Sequence, residues 1–416
     1  MSNPITARAV GCESRAGRGL PIPNGPEDEE SLLLPLRSVT QILKPSSYAN
    51  VLVVFAPLGI AFGLLHKTPA LVFSFNFLAI ASLSKLNGRR IVQLSAILGP
   101  LPGGILYALF DNAPLLIVCM AAIQNGDAHV AKSCVLGSVL ANLLLVMGWC
   151  FFVAGTRHSV SSFSASYASK ASSLMIVASS ALVVPSAISE ARCTAENECE
   201  ESLVHVSRAV SICLLVLFTT YLHYRLRSHR VAFIEFQSAH STRSENAQCL
   251  SVAITEATCL VVVLVLVSMC AYFLVRTLDV VSDSRFISAR VASFVLLPIA
   301  TDGPSRVEAI VAAYRGEMPK ALDFAVSRSM HVALFVAPVL VLFSWAIQSS
   351  YPMTLHFPTS ETISLFLGTI LLAEVCRDGE SDYLEGAMCI IMYVLPDYVA
   401  ETSSQNHRYM ILSFSF

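Results

Sequence analysis

Two short runs carry the residues most able to do chemistry. Asp111-Asn112-Ala113-Pro114 and Thr301-Asp302-Gly303-Pro304 each set a carboxylate in otherwise apolar sequence. The segments that follow can be laid over one another without gaps, pairing Asn112 with Asp302, Ala122 with Ala312, Gly126 with Gly316 and Asp127 with Glu317. An ionisable group in such surroundings is expensive, and marks a cation or proton path or a partner for buried positive charge. Asp111 lies four residues before Leu115, and Asp302 and Glu308 lie three before and three after Ser305. Each offset is about one helical turn, so these acids can reach a shared cavity as ligands. The competing reading is that Asp302 and Glu308 pair with Arg306 or Arg328 and only neutralise buried charge. Ser138 and Asn142 are candidate ion ligands too, although by residue type alone they read first as hydrogen-bonding links between helices. His331 reads as a proton relay or, more simply, as a histidine satisfied by a neighbouring carbonyl.

The elements that must hold these residues follow from composition. The 416 residues are 55% hydrophobic and 13% charged, with a mean hydropathy of +0.65, more apolar surface than a soluble core can bury. The apolar residues fall in blocks of roughly 17–25, the length that crosses about 30 Å of hydrocarbon. Candidate spans run near Ala49 to Leu65, Pro69 to Leu83, Ile91 to Gln124, Cys134 to Gly155, Ser172 to Ile188, Leu203 to Leu222, Leu250 to Val275, Val291 to Tyr314, Ala321 to Ile347, Glu361 to Cys376 and Leu384 to Val399. The fold expected is an all-α membrane protein of about eleven transmembrane helices, one leading helix plus two five-helix repeats. About five spans, an odd number, separate the two copies, so the repeats are inverted, a design of secondary transporters.

Along the chain this gives a disordered cytoplasmic tail (1–48), with the dileucine-like run Glu29 to Leu34, then the leading helix and first repeat (49–189). An acidic joint, a sixth helix and a basic cytoplasmic loop (190–249) precede the second repeat (250–399) and a C-terminal tail (400–416). Lys85, Arg89 and Arg90, then Arg157 and Lys170, then Arg225, Arg227, Arg230 and Arg243, then Arg315 and Lys320 occupy the even joints. That bias places the N-terminus in the cytoplasm, with the joint of Arg276, Arg285 and Arg290 as the exception.

A net charge of -2 leaves no basic excess for nucleic acid. The cysteines lie mostly in apolar blocks and read as small packing residues, while Cys193 and Cys199 could form a disulfide. No Ser/His/Asp constellation, phosphate-binding glycine loop or zinc-type spacing is present, so no enzyme is expected.

Several runs together resemble the calcium/proton exchangers of the cation/calcium exchanger superfamily. They are Asn50-Val51-Leu52-Val53-Val54-Phe55-Ala56-Pro57-Leu58-Gly59-Ile60, Gly137-Ser138-Val139-Leu140-Ala141-Asn142-Leu143-Leu144-Leu145-Val146, Leu296-Leu297-Pro298-Ile299, Ala333 to Pro338 with Trp345, and Asp378-Gly379-Glu380-Ser381-Asp382-Tyr383-Leu384-Glu385-Gly386. The resemblance implies eleven transmembrane helices, two inverted repeats and calcium export from the cytosol into a vacuole or other acidic endomembrane store, driven by returning protons. Calcium and protons are then transported species, with no permanently bound cofactor. The partners implied are the lipid bilayer and the calcium ion, with homo- or hetero-oligomers with an exchanger left open. It further implies one glutamate ligand per repeat in a Gly-Asn-Ala-x-Glu pattern, helped by Asn and Ser.

This chain departs from that pattern in both copies. In the first, Asp111 stands at the glycine position and Leu115 at the glutamate, with Asn112 and Ala113 matching. In the second, Asp302 stands at the asparagine position and Ser305 at the glutamate. The Gly-Ser partner motif survives as Gly137-Ser138, whereas its second copy reads Ser327-Arg328-Ser329-Met330-His331. The candidate metal ligands are therefore Asp111, Asn112, Ser138, Asn142, Asp302, Glu308 and Ser329. The expected function is calcium/proton antiport, intact or impaired, and the alternative is a non-transporting exchanger-like protein with a regulatory or structural role.

Overall fold

The structure, a computed structural model, describes residues 54–65, 68–157, 161–163, 165–192, 196–228, 249–282, 289–348 and 351–394. The two tails, the loop arginines Arg230, Arg243 and Arg285, and the Cys193 half of the candidate disulfide lie outside the described residues. The helices are α1 (Phe55–Leu64), α2 (Pro69–Leu98), α3 (Pro100–Gln124), α4 (Ala128–Arg157), α5 (Ala165–Arg192), α6 (Glu196–Ser228), α7 (Cys249–Ser282), α8 (289–314), α9 (Met318–Ala346), α10 (Thr359–Val375) and α11 (Tyr383–Val394). A two-residue strand pair, Ser161–Ser162 with Glu380–Ser381, is the one departure from all-α structure among the described residues. Seven of these helices are long and apolar enough to cross a membrane, and α1 and α11 are shorter apolar helices.

The joint expected between the second and third spans does not exist. Ser84 to Arg90 lies inside α2, which runs unbroken to Leu98. Gly88 alone does not stop a helix, and the first true breaker is Gly99 (φ 87°) followed by Pro100. Two of the charges expected in solvent find partners distant in sequence, and Arg90 is buried. Arg90 donates to both Glu256 carboxylate oxygens on α7 at 2.9 and 3.0 Å, and Lys85 pairs with Glu308 on α8 at 3.3 Å. The acidic joint also shrinks, because α6 already begins at Glu196.

Prolines and π-turns shape the helices that meet at the centre. Pro298 and Pro338 each follow a π-turn, Ala292–Leu296 in α8 and Val332–Val336 in α9. A proline offers no N–H to the carbonyl four residues back and crowds it, and widening the turn ahead relieves that clash. The carbonyl so released by Pro298 is that of Phe294, and it lies against the Cα of Gly137 in α4. No side chain fits between them, so two backbones approach as small residues allow in membrane proteins. A third π-turn, Ala141–Val146 in α4, carries Asn142. Pro114 instead breaks α3 into Pro100–Phe110 and Ala113–Gln124. The Phe110 carbonyl that Pro114 leaves unpaired accepts from Asn87 Nδ2 at 3.2 Å, so the buried group is satisfied.

The internal repeat shows in the backbone. Gly126 and Gly316 have φ of 94° and 85°, and the Asp127 and Glu317 amides donate to the Ala122 and Ala312 carbonyls at 2.9 and 3.0 Å. The same left-handed glycine turn therefore ends α3 and α8, at the positions the gapless pairing matches.

Between α9 and α10 the chain is extended yet buried. Met353, Leu355 and Phe357 are each at most 2% exposed. Their amides donate to hydroxyls from three helices, Ser344 on α9 (2.9 Å), Ser207 on α6 (3.0 Å) and Ser186 on α5 (2.9 Å). Non-helical backbone survives away from water only when protein groups satisfy it in this way.

Candidate functional site

The broken α3, the π-turned α4 and α8, and α9 converge on a buried cluster of four charged groups. Asp111 sits at the α3 break, capping its first half, and its amide still donates to the Tyr107 carbonyl at 2.9 Å. Arg328 on α9 grips it as a fork, with Nε to Oδ2 at 3.2 Å, Nη2 to Oδ1 at 2.9 Å and Nη2 to the Asp111 carbonyl at 3.1 Å. The third guanidinium nitrogen, Nη1, lies 3.3 Å from Asp302 Oδ1. That contact is electrostatic, since Nη1 makes no hydrogen bond. Arg306, one turn after Asp302 on α8, places Nη2 3.6 Å from Asp302 Oδ2. Its Nε donates to Asn142 Oδ1 at 2.9 Å and its Nη2 to Ser138 Oγ at 3.4 Å. Ser138 in turn donates to Asp302 Oδ2 at 3.0 Å. All six side chains are buried.

The expected residues thus divide. Asp111, Asp302, Ser138 and Asn142 are brought together, but around two guanidiniums. Asn112 is buried beside them, and neither amide atom has a hydrogen-bond partner. Ser329 is buried one residue beyond Arg328 and spends its hydroxyl on the Ala325 carbonyl at 2.9 Å and the Val139 carbonyl at 3.5 Å. Glu308 is not in the cluster. Two turns beyond Asp302 on the exposed flank of α8, it is 61% exposed and faces Lys85. An exposed pair of this kind contributes little, so Glu308→Ala should shift unfolding stability by less than about 1 kcal/mol, measured by thermal denaturation in detergent. Among the described residues no three His, Cys, Asp or Glu side chains are grouped as a metal site.

Two further features were not anticipated. Arg225 on α6 forks Asp323 on α9 at 2.9 and 3.2 Å and reaches Ser327 at 2.6 Å, beside Arg328. The sequence signal was present in the Asp323/Ser327 spacing of one turn, but the partner lies 98 residues away. His331 takes no carbonyl, since neither ring nitrogen is hydrogen-bonded. It instead meets Phe218 and Tyr221 with ring centroids 5.8 and 6.2 Å apart.

A model of the sodium/calcium exchanger protein family matches residues 68–227 and 256–398, most of the chain and both acid-bearing helices. The chain belongs to this family. Among its exchangers the likeness is to calcium/proton exchangers. The chain is 33% identical over 363 residues to a vacuolar calcium ion transporter of Schizosaccharomyces pombe, covering 87% of each. To vacuolar cation/proton exchanger 3 of Oryza sativa subsp. japonica it is 31% identical over 369 residues, covering 86% of this chain and 87% of the relative. The solved structure of native YfkE superposes with a TM-score of 0.70 at 27% identity, covering 84% of this family member and 98% of YfkE.

Proposed function

We propose that the chain is a calcium/proton antiporter that moves cytosolic calcium into a vacuole-like acidic store in exchange for protons. The observation that carries this reading is the meeting of Asp111 and Asp302, one from each repeat copy, at a single buried place. Kinship over most of the chain with relatives named as vacuolar calcium transporters and calcium/proton antiporters supports the cargo and an endomembrane location. In this reading α1 leads, α2–α6 and α7–α11 form the inverted repeats, and the N-terminus is cytoplasmic. With Leu115 and Ser305 at the expected glutamate positions, Asp111 and Asp302 supply the carboxylate charge, and each must leave its guanidinium to hold the ion. Sealed vesicles containing the purified chain should show proton-coupled calcium uptake, lost in Asp111→Ala or Asp302→Ala and retained in Glu308→Ala. Uptake no greater than in empty vesicles, with the protein folded and inserted, defeats the reading.

The ion pairs themselves motivate a second reading, a non-transporting exchanger-like protein that regulates or pairs with an active exchanger. Its signature is co-purification with such a partner and altered transport by it. Robust uptake by the chain alone excludes it.

A further inference from the structure

The two guanidiniums share a set of buried oxygens of the kinds that calcium takes. Together they hold seven oxygens: both carboxylate oxygens and the carbonyl of Asp111, both carboxylate oxygens of Asp302, Ser138 Oγ and Asn142 Oδ1. Calcium takes six to eight oxygens, carboxylates among them. The charge matches as well, since Arg306 and Arg328 bring two positive charges to two carboxylates, the charge of one divalent ion. Adding a divalent cation to this neutral cluster would leave two uncompensated charges where little water screens them. Removing the guanidiniums would leave two carboxylates seeking a cation.

We infer that Arg306 and Arg328 are tethered internal cations that occupy the calcium position and compete with calcium for its ligands. The inference rests on reading the chain as a calcium transporter and names what controls that site. Entry of the ion requires both guanidiniums to withdraw together, so the arginines set an affinity threshold rather than contribute ligands. The buried Asn112 amide, unpartnered in this state, adds an oxygen that only an arriving ion or water would use.

The measurement is calcium binding by the full chain in detergent, as radiolabelled-calcium equilibrium binding and as calcium-dependent thermal stabilisation. It compares the native protein with Arg306→Gln/Arg328→Gln. The double variant should bind calcium at least tenfold more tightly than the native chain, and its melting temperature should rise at calcium concentrations at least tenfold below those the native chain needs. Arg328→Gln alone, which keeps the Asp302–Arg306 pair, should lie between them. Native binding as tight as that of the variant overturns the inference, as does a folded variant indifferent to calcium. So does failure of both variants to fold even when purified in calcium, because the ion should replace the lost charges. Tighter binding in the variants without uptake by the native chain defeats the antiporter reading and leaves this inference standing. Native uptake with unchanged affinity in the variants does the reverse.

Discussion

Arg328→Ala, measured in calcium-free buffer, is expected to lower unfolding stability by about 3–5 kcal/mol, the range found when one partner of a buried ion pair is removed. The substitution strips Asp111 of three hydrogen bonds, one of them to its backbone carbonyl. It leaves Asp302 with the Ser138 hydroxyl at 3.0 Å and, as counter-ion, Arg306 at 3.6 Å. Packing is lost too, because the guanidinium carbon lies 5.1 Å from the centre of the Phe324 ring. The compensated pair Asp111→Asn/Arg328→Met should recover most of the loss, since replacing both partners removes the stranded charge. Chemical denaturation of Asp111→Asn, Arg328→Met and the pair in one detergent completes the cycle that gives the coupling. A loss below about 1 kcal/mol, the value of an exposed pair, would show that the fork does not hold α3 to α9.

Gly137→Ala is the second large effect. The added methyl would fall inside the contact distance of the Phe294 carbonyl, which is backbone and sits in a π-turn fixed by Pro298. Neither side can yield without moving a helix, so the cost should reach about 3 kcal/mol, the upper part of the overpacking range. Ser138 and Asp302 lie on the same two helices, so the 3.0 Å bond between them should lengthen as well. Gly88→Ala is the matched control. Nothing lies within 4 Å of the methyl it adds to α2, and alanine in a helix interior is about 0.5–1 kcal/mol better than glycine. Thermal unfolding should therefore move in opposite directions for the two variants.

What was legible in the sequence was local or periodic. Long apolar blocks specify spans, and the Gly126/Gly316 pairing is written in residue type because only glycine suits that backbone. The choice between ligand and counter-ion for Asp302 was also visible, with Arg306 one turn away. Distant partners were not. The run from Ser84 to Arg90 reads as a solvated joint until Glu256, 166 residues on, is known to face Arg90. The extended segment around Leu355 reads as an ordinary connection because the serines that hold it come from other helices. The gapless pairing matched Asp302 with Asn112, yet in space Asp111 takes the ion pair. The first copy is interrupted before Pro114, whereas the helix runs unbroken through Pro304.

The balance of two acids against two guanidiniums has an electrical consequence. Carrying one elementary charge through a potential of 100 mV takes about 2.3 kcal/mol. A cluster holding two bare carboxylates would feel twice that when it changed sides of the bilayer, so membrane voltage would bias the direction it faces. With Arg306 and Arg328 in place the cluster is neutral, and its passage between the two faces would be electrically silent.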